Sequence, residues 1–426
     1  MARSIPRSAT LDVWIAREAI PFSVDSPESF NAAVDRVVGA LGDSVELLGM
    51  GEALHGGLDI FQFRNRLFQR LVEAHGFSAI ALESSFPRGR VVNEYIMGRG
   101  AESYEAVQDT GFSHGFGPLD ANRELVEWMK RYNADSSHQV KLQFYGFDSP
   151  TEFGPSDSPR QVLYFVLDYL GSIDSASAHA YRERMDALLG QDADWENPAV
   201  LMDPTQAVGA SPNANALRIE TEELISELQV RRPELIIKSD ASRYWEALQY
   251  ALVARQLLNY HATLARTSSD RIARGLGQRD AMMADNLLYI VARERARGKV
   301  FVFAHNSHLQ RGMARWQLGA DLWTWWPAGA QLDAMIGAHY TVIGSEVGVS
   351  EAHGIGQPEA GTLEAYLTAA PGPARFIPTF RGQGLEASEI ANLPIRSGSV
   401  KNPSYFPFTA QSFTDFDWWV VLDETR

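Results

Sequence analysis

Six short apolar runs without polar alternation recur along the chain, and amphipathic stretches separate most of them. Strands that are buried on both faces of a sheet have this pattern, because neither face needs polar side chains. The predicted strands cover residues 45–50, 78–83, 140–145, 300–304, 340–344 and 418–422. Their alternation with helices indicates the α/β class, with a mostly parallel central sheet flanked by helices.

The stretch over residues 58–75 has the periodicity of an amphipathic helix. Phe61, Phe68 and Leu71 recur at helical spacing, and Gly76 follows as a stop signal. Because predicted strands precede and follow this helix, residues 45–83 are predicted to form a strand–helix–strand crossover.

The composition and the hydrophobic periodicity of the sequence change between the two halves of the predicted sheet. A stretch rich in Pro, Ser and Gly opens this region, and long amphipathic segments without a convincing strand fill it. We therefore predict three parts: residues 1–150 as the first part of an α/β core, 151–275 as a helical insertion or cap, and 276–426 as the second part of the core.

Ionisable residues follow three of the predicted strands. Glu52 and His55 come after the first, Glu83 ends the second, and His305 and His308 follow the run over 300–304. In open α/β sheets the ligand crevice lies beyond the carboxyl ends of the strands, so these five side chains are expected to converge. Taken singly, each histidine would more often be structural, but their coincidence favours a catalytic site.

Arg64 joins the five side chains above as a sixth candidate for catalysis, and four other residues are candidates for substrate contacts. Arg64 lies on the apolar face of the helix over 58–75, which predicts a buried guanidinium paired with Glu52 and Glu83, although a purely structural arginine is equally compatible with this position. The substrate-contact candidates are His114 in a glycine-flanked loop, Asp148, Trp316 and Trp323.

Composition and charge exclude several classes of function. The 426 residues include no cysteine, which excludes disulfides, thiolate nucleophiles and cysteine-ligated metals. The formal net charge of −15 disfavours nucleic acid and anionic membrane surfaces as partners. The chain shows neither a secretory signal nor a long apolar span, so we expect a soluble, cytoplasmic protein with a small-molecule substrate.

The residue types leave few mechanisms open. There is no nucleophile elbow and no glycine-rich nucleotide loop, and no serine is expected to pair with a base, although Ser84, Ser85 and Ser307 lie near the candidates. Three histidines and two glutamates could hold a divalent metal, but an inward Arg64 disfavours one, so no metal and no cofactor is predicted. The remaining interpretation is water activation by a neutral histidine hydrogen-bonded to a glutamate.

Several blocks of the sequence resemble the erythromycin esterase family. GEALHG at residues 51–56 is similar to the family's G-E-x-x-H signature, and the resemblance extends over roughly residues 20–344. The later blocks are FRNRLF with Arg64, HGFSAIALESSF with Glu83, YGFD at 145–148, RDAMMADN at 279–286, AHNSHLQ at 304–310 and the weaker PAGAQLDAMIGAHY at 327–340.

The resemblance implies a metal-independent hydrolase that opens a macrolide lactone. His55 would be the general base toward water, surrounded by the functional set Glu52, Arg64, Glu83, His305 and His308. Leu54 and the run over 84–88 depart from the family pattern, which leaves the substrate, and a role in antibiotic resistance or in biosynthesis, undetermined.

Three alternatives to this hydrolase stay open. The same base could act on a substrate hydroxyl in a biosynthetic cyclisation, elimination or acyl transfer. The site could also belong to a metal-dependent hydrolase, or it could bind and sequester a ligand without turnover.

Overall fold

The structure, a computed structural model, describes residues 9–151, 156–318 and 320–426. Among these residues lie ten strands: β1 (Ile20–Phe22), β2 (Leu47–Glu52), β3 (Phe77–Ser85), β4 (Gln143–Asp148), β5 (Lys299–His305), β6 (Ala314–Leu318), β7 (Asp321–Trp325), β8 (Tyr340–Val349), β9 (Ala374–Pro378) and β10 (Trp418–Glu424).

Eight strands form one central sheet in the order β1-β9-β10-β8-β2-β5-β3-β4. The six strands from β10 to β4 are parallel to their neighbours, whereas β9 is antiparallel to β10 and β1 is antiparallel to β9. The predicted class, a mostly parallel sheet flanked by helices, is confirmed, and all six predicted strands are present.

The antiparallel edge formed by β1 and β9 was not predicted from the sequence. β1 has only three residues, and Arg375 interrupts the apolar run of β9. The Arg375 side chain is nevertheless fully buried, because its guanidinium pairs with Asp423 at 2.7 Å and donates to the carbonyl of Leu367. A buried charge paired across the sheet is invisible to a hydrophobicity pattern.

Helices cover both faces of the sheet. The helices of the described residues are α1 (Leu11–Glu18), α2 (Pro27–Leu41), α3 (Leu58–His75), α4 (Phe86–Ile96), α5 (Glu105–Gln108), α6 (Asp120–Ala134), α7 (Arg160–Gly171), α8 (Ser175–Leu189), α9 (Asp192–Trp195), α10 (Pro212–Val230), α11 (Arg232–Lys238), α12 (Ala241–Leu264), α13 (Arg271–Glu294), α14 (Asn306–Leu309), α15 (Ala328–Ile336), α16 (Leu363–Ala369), α17 (Ala387–Ala391) and α18 (Ser412–Asp415).

Helix α3 spans the range that the sequence predicted. Its cap Gly76 has a φ of 71°, a left-handed conformation that glycine adopts without steric cost. The strands before and after α3 do not pair with each other, because β5 lies between β2 and β3 and is parallel to both. The crossover therefore leaves room for a strand that arrives almost 250 residues later in the chain.

The helices between β4 and α13 pack on one another around their own apolar cluster. Leu163 of α7, Leu217 of α10 and Leu257 of α12 are fully buried in this cluster. Residues 156–275 contain no strand, as the sequence predicted. The division of the chain near residues 150 and 275 into separate units stays a prediction.

No helix in the described ranges combines the length and the apolarity that a membrane span requires.

Candidate active site

Three neighbouring strands bring the predicted catalytic residues to one edge of the sheet. In the register of β2 and β5, Glu52 lies directly opposite His305, and Glu83 comes from β3 on the other side of β5. A Cβ at Gly51 would lie 2.1 Å from Oδ1 and 2.9 Å from Cα of Asn306. Glycine at this position therefore allows the start of α14 to approach β2 closely.

His55 and Glu52 form the most direct pair of the site. Nδ1 of His55 lies 2.5 Å from Oε1 of Glu52, and the Glu52 side chain is only 2% exposed whereas that of His55 is 39% exposed. Burial lowers the pKa of His55, but the Glu52 carboxylate outweighs this effect, so the pKa lies above its ordinary value. Nε2 of His55 makes no hydrogen bond to the described residues and is left to accept a proton.

Burial raises the pKa of Glu52, and the adjacent His55 only partly offsets that effect. Its second oxygen, Oε2, is buried and has no hydrogen-bond partner among the described residues. Among the described residues, His55 thus provides the only polar contact of this carboxyl. Protonation of His55 would stabilise the charged form of this glutamate.

Glu83 is held as a carboxylate by three donors. Its Oε2 accepts the backbone N–H of His305 at 2.8 Å, and its Oε1 lies 3.2 Å from Nη2 of Arg279 and 3.3 Å from Nε2 of His308. Burial alone would raise the pKa of Glu83, but the positive His308 and the other cations bring it well below its ordinary value. Glu83 is therefore a fixed negative charge beside His55 and not a proton donor.

His308 lies between two carboxylates. Its Nδ1 is 2.9 Å from Oδ1 of Asp280, and its Nε2 faces Glu83. Oδ1 of Asp280 also accepts the backbone N–H of Ala328, and Oδ2 accepts the indole N–H of Trp325. Burial lowers the pKa of His308, but Asp280 and then Glu83 raise it to about 10. This histidine is an imidazolium at neutral pH and cannot serve as a base there.

His305 is in the opposite state. Its Nε2 lies 2.7 Å from the carbonyl of Ser404, and its Nδ1 accepts from the hydroxyl of Ser307 at 2.7 Å and from the Ser307 N–H. Burial, together with the nearby His55, lowers the pKa of His305 to about 3. Both ring nitrogens are occupied, so this histidine is neutral and has no free position for a reacting proton.

The contact of Ser307 with His305 corrects the expectation that no serine would pair with a base. The two residues are separated by one position, and His305 is the N-terminal cap of the short helix α14. The pairing is a local consequence of this cap, which a search for catalytic motifs does not reveal. A histidine with a pKa of about 3 is nevertheless a weak activator of a hydroxyl.

Arg64 is buried as predicted, but its partners differ from the expected carboxylates. The guanidinium donates to the side-chain oxygens of Asn65 and Asn122 at distances of 2.7–3.0 Å, and it lies over the rings of Phe61 and Phe303. Neither Glu52 nor Glu83 forms an ion pair with it. Burial lowers the pKa of Arg64 to about 9, because no carboxylate is in direct contact.

Arg279, and not Arg64, is the arginine that pairs with Glu83. It binds both carboxylate oxygens of Asp148, at 3.0 and 2.5 Å, and reaches Glu83 with the same Nη2. His114 lies 2.8 Å from Asp148, in a left-handed conformation with a φ of 57°. The predicted substrate-contact residues His114 and Asp148 are therefore connected to the catalytic candidates through Arg279.

Trp316 and Trp323 lie on the β6–β7 hairpin, where they form a cross-strand pair with ring centroids 5.3 Å apart. Different aromatic rings contact the histidines: Phe116 lies 6.1 Å from His55, and Phe406 lies 5.9 Å from His305. These phenylalanines lie beside the candidate catalytic histidines, and a substrate contact by the two tryptophans stays a prediction.

Sequence reasoning missed Arg279, Asp280 and Ser404. Arg279 and Asp280 stand in the RDAMMADN block, and the signal that could have found them is two adjacent charges in a helix that is otherwise buried over much of its length. Ser404 carries no local signal, because it lies in an irregular loop 349 residues from His55.

One set of ligand atoms in the described residues has the spacing of a metal site. Ligand atoms of Glu52, His55 and Glu83 all lie within 4.8 Å of one another. Both oxygens of Glu83 already accept hydrogen bonds from protein donors, and two cations flank it. A dication would have to displace these contacts, so the donor set fits an imidazolium better than a metal ion.

Comparisons with known proteins identify the family of the chain. A family model described as erythromycin esterase matches residues 72–425. Erythromycin esterase type II of Escherichia coli is 24% identical over 336 residues, which make up 78% of this chain and 75% of that protein. Erythromycin esterase type I of Escherichia coli is 24% identical over 284 residues, 63% of each chain.

Solved structures share the fold over almost the whole chain. A Bacillus cereus protein aligns with a TM-score of 0.74 at 18% identity and covers 97% of both chains. A succinoglycan biosynthesis protein aligns with a TM-score of 0.69 at 20% identity, covering 97% of this chain and 96% of that one. A mutant of the erythromycin esterase EreC in its open conformation aligns at 0.66 and 18% identity, covering 99% and 98%.

Proposed function

The chain belongs to the erythromycin esterase family of carboxylic ester hydrolases, and from this premise we propose that it hydrolyses the ester of a macrolactone or a related natural product with His55 as general base. One observation carries the proposal. His55 is the histidine of the cluster that combines an exposed side chain, a carboxylate on Nδ1 and an unoccupied Nε2.

The proposed reaction begins with a water molecule bound at Nε2 of His55. As the water oxygen attacks the ester carbonyl, its proton moves to Nε2, and the imidazolium is stabilised by Glu52 at 2.5 Å and by the negative charge of Glu83. The tetrahedral intermediate then breaks its bond to the alkoxide. His55 returns the proton to that oxygen, which releases an alcohol and a carboxylic acid.

The oxyanion of the intermediate needs a positively charged donor with an N–H group that does not already bind a carboxylate. Nδ1 and Nε2 of His308 both face carboxylates, and His305 is neutral. Arg279 uses Nε and Nη2 for Asp148 and Glu83, and its Nη1 has no hydrogen bond to the described residues. We assign Nη1 of Arg279 to the developing oxyanion or to a neighbouring oxygen of the substrate.

The fixed charges on either side of His55 support this assignment of roles. Glu83 stays ionised and His308 stays protonated across the neutral range, so neither changes its charge while His55 takes up and returns a proton. Phe116 and Phe406 add apolar surface beside the two histidine rings, which suits the hydrocarbon frame of a lactone.

The test is His55→Asn, assayed on a panel of macrolactones and simple esters in ¹⁸O-labelled water. We expect a folded variant with turnover at least about 100-fold lower, since a positioned base contributes about 10²–10⁴-fold. The parent should place one label in the product carboxylate. His339→Asn is the matched control, because His339 is exposed and lies at the start of β8, the end of the sheet opposite the site.

Activity of His55→Asn within a few-fold of the parent would refute the base. An unlabelled product that is isomeric with its substrate would identify a substrate hydroxyl as the nucleophile, and would make the enzyme a cyclase that uses the same histidine.

A further inference from the structure

The loop between α17 and α18 reaches into the candidate active site and contacts both His55 and His305. Ser404 of this loop contacts the backbone of His55 through its hydroxyl and the ring of His305 through its carbonyl. We propose that Ser404 is a positioning residue that holds His55 and His305 in their working orientation. The inference rests on the proposed role of His55 as general base.

The backbone of His55 depends on this loop. His55 lies in a turn after β2, outside any helix or strand. Its N–H donates to Oγ of Ser404 at 2.9 Å, and its carbonyl accepts from Nδ2 of Asn402 at 2.9 Å. The Ser404 hydroxyl in turn donates to Oδ1 of Asn402 at 2.5 Å, so both backbone polar groups of His55 are held by one hydrogen-bonded pair.

The same residue determines the proton arrangement of His305. The Ser404 carbonyl can only accept, so the proton of the neutral ring lies on Nε2, and Nδ1 is left to accept from Ser307. The rings of His305 and His55 are 4.9 Å apart. A positive charge on His305 would oppose proton uptake by His55. Burial and the nearby His55 keep His305 neutral, and the Ser404 carbonyl fixes which ring nitrogen carries the proton.

The loop is anchored firmly enough to act as a support. Next to Ser404, the Tyr405 hydroxyl donates to buried Glu346 at 2.8 Å and accepts from Arg396 at 2.9 Å. Three residues further along, the N–H of Phe408 donates to buried Glu364 at 2.6 Å. The hydroxyl and carbonyl of Ser404 are thus presented from a segment whose neighbours are fixed in the core.

The pH dependence of the reaction distinguishes a positioning serine from a purely structural one that makes the same contacts. Four ionisable groups face the His55 ring: Glu52 of β2, Glu83 of β3, His305 of β5 and His308 of α14. None of them changes when Ser404 is replaced. A shift in the pH dependence of the reaction would therefore report a movement of His55 relative to these groups.

The experiment is Ser404→Ala, with kcat, KM and the pH profile of kcat/KM measured on the full chain. We expect kcat to fall about 10- to 100-fold with KM changed little, since small displacements of a catalytic group cost about that much. The acid limb of the profile should move to lower pH, because a loosened contact with Glu52 lets the pKa of His55 fall. Ser404→Thr, which keeps the hydroxyl, should recover most of the activity.

Ser412→Ala is the matched control, because Ser412 is a buried serine of the same C-terminal segment whose hydroxyl accepts from Thr409 and not from the site. If Ser404→Ala does not fold, Asn402→Ala provides a second reading, since it removes the donor to the His55 carbonyl and the acceptor of the Ser404 hydroxyl without adding a charge. Parent-like kinetics in Ser404→Ala, or a loss of activity without a shift of the limb, would overturn the proposal while leaving the test of His55→Asn independent.

Discussion

Replacement of Asp280 by asparagine tests whether the buried ion pair of His308 stabilises the fold. Asp280 is fully buried and accepts three hydrogen bonds, from His308 at 2.9 Å, from Ala328 at 2.9 Å and from Trp325 at 2.6 Å. Asparagine keeps the shape but loses the charge, and its amide places a donor against either the indole N–H or the imidazolium.

The structure sets the magnitude of the effect. The pKa of His308 is about 10 against an ordinary value of 6.5, and each pKa unit corresponds to about 1.4 kcal/mol, so the two ion pairs, net of the cost of burial, stabilise the folded state by about 5 kcal/mol below pH 6.5. Asp280 raises the pKa more than Glu83 does. We therefore expect the free energy of unfolding to fall by about 3 kcal/mol, which agrees with the cost of breaking a buried pair.

The stabilisation by the ion pairs of His308 decreases as the pH rises. The pKa of His308 is higher in the folded state than in the unfolded state, so its stabilisation is fully present below pH 6.5 and is lost as the pH rises toward about 10. Urea unfolding at pH 6, 8 and 10 should show this decline in the parent. In Asp280→Asn the free energy of unfolding should be lower at pH 6 and should change less with pH.

Asp285→Asn is the control for this measurement, since it makes the same substitution at an exposed position of the same helix. A loss below about 0.5 kcal/mol in Asp280→Asn at pH 6, or an unchanged pH dependence, would show that His308 is not held as an imidazolium by Asp280.

Two further predictions concern the reaction. Ser307→Ala should retain turnover within a few-fold, because a His305 with a pKa of about 3 does not activate the hydroxyl, and mass spectrometry during turnover should show no acyl-enzyme. A covalent adduct that disappears in this variant would contradict the water mechanism. Arg279→Lys should lower kcat/KM at least about 10-fold, because lysine cannot bind Asp148 with two donors and also reach Glu83. Parent-like steady-state kinetics would remove Arg279 from the proposed site.

The edge of the sheet that carries the candidate site could be predicted because the relevant information is local. Runs of apolar residues mark strands that are buried on both faces, and the residue after each run must lie at a carboxyl end whichever strands become neighbours. Glu52, Glu83 and His305 were placed correctly on this argument alone. The antiparallel strand β9 was missed because Arg375 hides its pattern.

The protonation states could not be predicted from the sequence. His305 and His308 are three residues apart and similar in their local context, yet the pKa of one is about 3 and that of the other about 10. Asp280 and Glu83, which reach His308 from α13 and β3, raise its pKa, whereas burial and the nearby His55 lower the pKa of His305.

The amino-acid sequence by itself determined which segments are buried and at which end of the sheet the polar residues emerge, because side-chain periodicity encodes burial over a few residues. Only the tertiary structure decided which charges meet. Arg279 and not Arg64 pairs with Glu83, 196 residues away, and Ser404 supports His55 across 349 residues. Such contacts depend on strand order and on the packing of distant helices. Hydrogen bonds and ion pairs form only where the partner atoms come within a few ångströms of each other, so no local pattern in the chain specifies them.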